Sequence, residues 1–367
     1  MAEYIHELPD WPGFRWSREL LAEKLAAVRH NQGRLLGRME SLGFPLRQNA
    51  VLDTLTADVL KTSEIEGERL DLEMVRSSIA RRMGMETGGL QAVDRDVEGV
   101  VEMMLDATRN HLQPLTAERL FAWHASLFPS GRSGMKRIET GSWRTTSMQV
   151  VSGPVGRERV HYEAPEAARV GYEMQAFLEW FNAAGEDWVV KAALGHLWFV
   201  TIHPFEDGNG RIARAIADMA LARSEDSSQR FYSMSAQIRV ERAEYYQRLE
   251  QAQRGTMDAT AWMDWFLACL DRAMQGAQTA LSGVLARSRF WESVAAVPLN
   301  ERQRLVLMRL LDGFEGSLTT SKWAKLAKCS QDTAARDILA LIEAGILLRS
   351  REGGRSTSYA LAEISPA

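Results

Sequence analysis

The run Thr201-Ile202-His203-Pro204-Phe205-Glu206-Asp207-Gly208-Asn209-Gly210-Arg211-Ile212-Ala213-Arg214 decides how the chain is read. Pro204 disfavours helical geometry in the residue before it, so the apolar helix entering the run ends near His203. A new helix starts near Gly210, which leaves Gly208, Asn209 and Gly210 as a tight loop at a helix N-terminus. Unpaired backbone N–H groups and the positive end of the helix dipole attract phosphate there. Glycine lets the backbone approach the anion closely. Arg211 and Arg214 lie three positions apart, on one side of the first turn. Cations oppose the dipole at that end, so two arginines there make sense around a polyphosphate. Asp207 is a hard oxygen ligand that suits Mg²⁺, an ion often held by one carboxylate plus substrate phosphates. His203, just ahead of the loop, can act as a general base near neutral pH.

The flanking sequence is mostly helical in pattern. Trp188 to Ile202 is the most hydrophobic stretch, but Lys191 and His196 interrupt it and it is shorter than a membrane span. It reads as a buried helix, with His196 a hydrogen-bonded core residue. Upstream, apolar positions recur at helical spacing over Leu20 to Leu36, Leu52 to Leu60, Asp94 to His111 and Ala117 to Leu127. The opening Trp11-Pro12-Gly13-Phe14-Arg15-Trp16 is too rich in aromatics, Pro and Gly for a helix and reads as an ordered arm. Met83 to Gly89 is a glycine-rich break. Thr145 to Val151, the turn residues Ser152 to Gly156 and Val160 to Tyr162 read as a β-hairpin among helices. Helices return over Ala167 to Asn182, Arg211 to Ala222, Arg242 to Gln253 and Ala261 to Leu281. From Pro298 onward three short helices (Glu301 to Leu311, Thr320 to Ala327, Asp332 to Glu343) and a hairpin with a Gly353-Gly354 turn have the pattern of a winged helix-turn-helix. The expected class is all-α, in three parts: a helical domain over 1–90, a core over 91–285 and the winged helix over 295–367.

Composition sets few further bounds. Apolar residues make up 46% and charged residues 25%, which excludes a largely disordered chain. A net charge of -4 gives no general attraction to nucleic acid or anionic membrane. The two cysteines, Cys269 and Cys329, lack metal-ligand spacing. With no secretory signal pattern at the N-terminus, the expected location is the cytoplasm.

The opening run resembles the signature of the Fic family, His-Pro-Phe-x-(Asp/Glu)-Gly-Asn-(Gly/Lys)-Arg-x-x-Arg, at every specified position. The resemblance implies an all-helical core over about 95–275 and the transfer of AMP from ATP to a Ser, Thr or Tyr hydroxyl of a protein. By that resemblance His203 deprotonates the hydroxyl and Asp207 binds Mg²⁺ between the α- and β-phosphates. Gly208, Asn209 and Gly210 form the anion hole, and Arg211 and Arg214 hold the β- and γ-phosphates. Phe205 is a core anchor. The family's phosphotransferase branch carries Lys at the position of Gly210, so Gly favours AMP transfer. The hairpin stands where the family has a flap that docks the target by strand addition. Arg242, Tyr245 and Tyr246 resemble positions that close the adenine pocket, with Tyr246 placed to stack on the base.

A second resemblance lies upstream. Thr62 and Glu66 are four residues apart and share a helical face, and Gly67 after them reads as permitting close contact. Thr62-Ser63-Glu64-Ile65-Glu66-Gly67 is similar to the family's inhibitory motif, (Ser/Thr)-x-x-x-Glu-(Gly/Asn). That resemblance implies that Glu66 pairs with Arg214 and withholds it from the γ-phosphate, and in some relatives the same glutamate serves removal of AMP. Residues 1–90 also resemble an uncharacterised helical domain found ahead of Fic cores.

The implied partners are ATP, a hydroxyl-bearing protein and the chain itself through auto-AMPylation, without a membrane. A homodimer is left open. So is DNA: in the winged helix, Arg336 stands between Asp332 and Asp337, which repel phosphate, while Arg349, Arg351 and Arg355 could touch a DNA backbone. Two other readings stay open, a transferase using another donor such as UTP or GTP, and a DNA-binding regulator whose Fic core senses nucleotide.

Overall fold

The computed structural model describes residues 3–85, 94–152, 157, 159–311, 314, 316–349 and 357–362. In chain order the helices and strands are α1 (Arg18–Glu40), α2 (Phe44–Ile65), α3 (Leu72–Arg82), α4 (Arg95–Arg109), α5 (Ala117–Leu127), β1 (Arg132–Ser133), β2 (Lys136–Arg137), β3 (Gln149–Ser152) and β4 (Arg159–Glu163). Then come α6 (Val170–Asn182), α7 (Trp188–Ile202), α8 (Asn209–Glu225), α9 (Met234–Val240), α10 (Arg242–Arg254) and α11 (Thr260–Ser293). The chain continues through α12 (Glu301–Leu311), α13 (Thr320–Leu326), α14 (Gln331–Glu343), β5 (Leu347–Arg349) and β6 (Tyr359–Leu361). The sheets among the described residues are three antiparallel pairs, β1–β2, β3–β4 and β5–β6. The all-α expectation therefore holds, with helix bounds at α5, α7 and α12 where the sequence places them.

Two compact units divide the chain, Met1–Gln278 and Thr279–Ala367. The first is built around α7, whose residues from Val189 to Ile202 are all buried. A helix that is apolar on every side has no face to offer water, so its neighbours close round it. Its cation, Lys191, donates to the carbonyls of Trp180 and Phe181, both at 2.9 Å, and so caps the end of α6. His196 is a core histidine as expected, its Nε2 2.8 Å from the Tyr245 hydroxyl. Against α7 packs α8, and α2 packs on α3, α4, α8 and α9. This brings the end of α2 to the start of α8.

The N-terminal arm is ordered. The Arg15 N–H donates to Met257 O at 2.8 Å, Trp11 Nε1–H donates to Glu173 at 2.7 Å, and the Trp11 and Phe14 rings meet Trp198 edge-on. The β3–β4 hairpin pairs Gln149 with Glu163 and Ser152 with Arg159, with a bulge between Val150 and Val151. Its turn, over 153–156, lies outside the described residues, as does most of the glycine-rich break.

In the second unit α12, α13, α14 and the β5–β6 pair enclose Val306, Leu307, Trp323, Ile338 and Leu341. Asp337 departs from expectation there, since it does not face outward to repel phosphate. It is buried, and Arg302 donates to its carboxylate from Nε at 2.8 Å and Nη2 at 3.1 Å. Arg349 is exposed on β5, while Arg351 and Arg355 lie outside the described residues.

Candidate active site

The loop between α7 and α8 is held in shape by its own residues. His203 closes α7 in the left-handed region (φ 52°), and Gly208 precedes α8 at φ 79°. A side chain is strained at that Gly208 φ, and a Cβ there would also meet the Phe128 ring at 2.9 Å. The Asn209 side chain ties the loop across, accepting from Phe205 N–H at 3.0 Å and donating to Phe205 O at 2.8 Å. The Asn209 side chain is thus committed to the loop, and its backbone N–H faces the start of α8. Phe205 is buried and stacks on the His124 ring, centroids 4.2 Å apart, the core anchor expected of it.

His203 Nδ1–H donates to Val200 O at 3.2 Å, which leaves the Nε2 lone pair available to a proton donor. The ring lines a cleft of about 780 Å³ with Glu66, Gly210, Tyr246 and the flap strands. Protein surrounds it on most sides, and burial lowers its pKa to about 4, with the Val200 hydrogen bond acting the other way. The imidazole is therefore neutral near pH 7. Arg144, which no sequence pattern singles out, is what fixes it. Its buried guanidinium donates to His203 O at 2.8 Å, to Thr146 O at 2.7 Å and to Pro165 O, and its N–H donates to Pro204 O at 2.9 Å.

Asp207 accepts from Gly208 N–H at 2.6 Å and from the Ser133 hydroxyl. Its carboxylate, the hard donor beside the loop, fits a Mg²⁺ that takes its remaining ligands from phosphates and water.

Arg211 and Arg214 are each 2% exposed, and both are met by acids from the end of α2. Arg214 donates from Nη2 to Glu66 Oε1 at 2.7 Å and to Thr62 O at 3.0 Å, and from Nε to Thr62 Oγ1 at 2.7 Å. Burial is the largest influence and works against the Arg214 charge, but Glu66 together with Tyr245 and Tyr246 offsets it and the pKa is raised. Arg211 donates from Nη1 to Glu68 Oε2 at 2.6 Å and lies over the Phe128 ring at 5.0 Å. Arg214 Nη1 and Arg211 Nε stay buried without a partner among the described residues.

The geometry of the α2 end corrects one reading. Glu66 is the C-cap, and Gly67 follows at φ 90°, where an added Cβ would meet nothing within 4 Å. Glu68 N–H donates to Ser63 O at 3.0 Å and Gly67 N–H to Glu64 O at 3.2 Å, the paired bonds of a Schellman turn. Gly67 serves the left-handed turn, not close contact. Close contact belongs to Gly210, where a Cβ would collide with Glu66 Oε1.

On α10, Arg242 Nε–H and the Tyr246 hydroxyl both donate to Ile65 O, at 2.8 and 3.3 Å. Tyr246 is 38% exposed and lines the cleft, while Tyr245 is core. Glu250 of the same helix accepts from Arg159 at 2.9 Å and pairs with His161 Nδ1 at 2.9 Å, which fastens the flap to α10.

Comparison with known proteins places this loop in a family. Residues 114–221 match the Fic/DOC family, and residues 4–85 match DUF4172, a domain of unknown function. The chain therefore carries a Fic/DOC domain. It is 32% identical over 118 residues to the uridine 5′-monophosphate transferase of Xanthomonas campestris pv. campestris (strain 8004), covering 30% of this chain and 21% of that protein. It is 23% identical over 237 residues to the protein adenylyltransferase Fic of Nematostella vectensis, covering 63% of this chain and 50% of that protein. The chain thus spans half the length or less of these two curated relatives. The crystal structure of a Fic family protein from Desulfovibrio desulfuricans G20 shares the fold at a TM-score of 0.52 and 20% identity, over 95% of this chain and 98% of that one. No described helix is long and apolar enough to cross a membrane.

Proposed function

We propose that the Fic/DOC domain of this chain is a protein adenylyltransferase held off by Glu66. One observation carries the reading: two buried guanidinium groups at the start of α8 each keep an N–H without a partner among the described residues, Arg211 Nε and Arg214 Nη1. Buried donors left unpaired cost stability, and a polyphosphate at the helix N-terminus would satisfy them. His203 Nε2 takes the proton of the target hydroxyl. The hydroxyl oxygen bonds to the α-phosphorus of ATP, the bond to the β-phosphate oxygen breaks, and pyrophosphate leaves. Mg²⁺ at Asp207 would neutralise phosphate charge. The backbone N–H groups of Asn209 and Gly210 and the two arginines orient the β- and γ-phosphates, and Tyr246 offers its exposed ring to the base. The flap supplies an edge for the target strand.

Glu66 occupies Arg214 and fills the space beside Gly210, so ATP can enter only out of line for attack. A bias of about 2.7 kcal/mol suppresses the competent state about a hundredfold. The Xanthomonas relative's name favours testing a second donor class, uridine nucleotides. Glu66→Gly protein incubated with Mg²⁺, a cell lysate and ATP, UTP or GTP in competition should acquire AMP, and its targets likewise, as read by mass spectrometry. A uridylyl adduct formed in preference would replace the donor, and no adduct from any nucleotide would remove the transferase reading. Wild-type protein given an AMPylated target tests whether Glu66 also serves AMP removal.

A further inference from the structure

The proposed inhibition gives Glu66 a task and leaves Glu68 without one, although the two carboxylates leave the same turn. Glu68 Oε2 stands 2.6 Å from Arg211 Nη1, and among the described residues it is the hydrogen-bond acceptor that Arg211 has. Arg211 is almost wholly buried, its side chain 3% exposed, against 46% for Glu68. We propose that the turn closing α2 is a double latch, in which Glu68 withholds Arg211 from phosphate as Glu66 withholds Arg214. The inference rests on the proposed phosphate site at the start of α8.

The geometry of the turn makes the pairing specific. Gly67 at φ 90° reverses the chain direction after Glu66, and the Glu68 N–H returns to Ser63 O at 3.0 Å. The two acids are thereby fixed on either side of one glycine, facing two arginines three residues apart on α8. Helix α2 is in turn held by Arg242 and Tyr246 through Ile65 O. The latch is thus anchored from the base side of the cleft as well. A guanidinium hydrogen-bonded to a carboxylate cannot give the same N–H to a phosphate, so nucleotide and Glu68 compete for Arg211. Burial raises the pKa of the Glu68 carboxyl and Arg211 lowers it, while the like charges of Asp207 and Glu66 add to the rise, a repulsion that a triphosphate would worsen. Because Glu68 is more exposed than Glu66, at 46% against 31%, its hold is the weaker of the two.

The consequence is that removing Glu66 leaves the enzyme only partly released. Mg²⁺-ATP titrations by calorimetry, with AMP incorporation measured alongside, would compare wild type, Glu68→Gln, Glu66→Gly and the double variant Glu66→Gly/Glu68→Gln. Glutamine keeps the shape of the turn, and equal urea midpoints for Glu68→Gln and wild type would show that it folds. The double variant should bind Mg²⁺-ATP about three- to fivefold more tightly than Glu66→Gly, the range an exposed ion pair supports. Equal or weaker binding by the double variant overturns the second latch, whatever AMP incorporation shows. A gain in affinity with no AMP incorporated by either variant leaves the latch standing and removes the transferase reading instead.

Discussion

His203 has to meet two demands, an unusual backbone conformation and a free ring nitrogen. A left-handed φ of 52° costs a non-glycine residue about 1–2 kcal/mol, and Arg144 offsets that cost by gathering the carbonyls around the loop. Arg144→Lys cannot fork to three acceptors. It should lose about 1–3 kcal/mol of stability and lower AMP transfer by the Glu66→Gly protein more than tenfold, with ATP affinity kept. A fall in affinity alone would show that Arg144 does not position His203. Burial that lowers the His203 pKa to about 4 also predicts a pH profile. The base form persists down to about that value, so transfer should hold level from pH 7.5 to 5.5, where an exposed histidine would already be protonated. His203 is legible in the sequence because its neighbours form a motif. Arg144 is not, since it acts from 59 residues upstream, in a stretch with no periodic pattern to single it out.

The element that decides regulation is the end of α2. Its last turn delivers Thr62, Glu66 and Glu68 to α8, and Gly67 sets the angle. Gly67→Ala forces a side chain into φ 90°, at a cost of about 1–2 kcal/mol. It should loosen both acids together, raising Mg²⁺-ATP affinity in calorimetry, while an unchanged affinity would show that the turn does not set the latch. Spacing alone puts Thr62 and Glu66 on one face, but a glycine after a helical pattern fits both a packed contact and a terminator, and only the backbone separates them. Helix bounds are legible where local signals are strong. Asp187 caps α7 by accepting from Val189 N–H at 2.8 Å, and Thr116 caps α5. Helix α9, seven residues long, is too short for periodicity to show and, unlike the equally short α13, has no three-helix pattern around it to mark it. Strands β1 and β2 have two residues each.

In the first unit as a whole, buried ionisable groups tie the proposed site to stability. His196 and His124 are neutral in the core, their pKa values lowered by burial to about 3 and about 4. The unfolded chain binds protons at these residues from about pH 6.5 downward, so their contribution is lost as pH falls from there toward 4. The buried Asp58 and Asp218 carboxyls act in the opposite sense, because burial raises both. The histidine effect is isolated by difference: between pH 6.5 and 4.5 the urea midpoint of wild type should fall more steeply than that of His196→Gln. Parallel slopes would contradict it. Long-range pairing is what a sequence carries least. Glu66 and Arg214, 148 residues apart, are linked there only through two motif resemblances, and the Glu68–Arg211 pair, with Glu68 outside both motifs, has no signal at all. Every role proposed for these residues depends on a loop that grips nucleotide and transfers the α-phosphoryl end of ATP. Incubation of Glu66→Gly protein with Mg²⁺ and ATP labelled at either the α- or the γ-phosphate tests this most directly. Protein-bound label should appear from the α position, and vanish when His203→Ala is added to the same protein. Label arriving from the γ position, or persisting without His203, would contradict it.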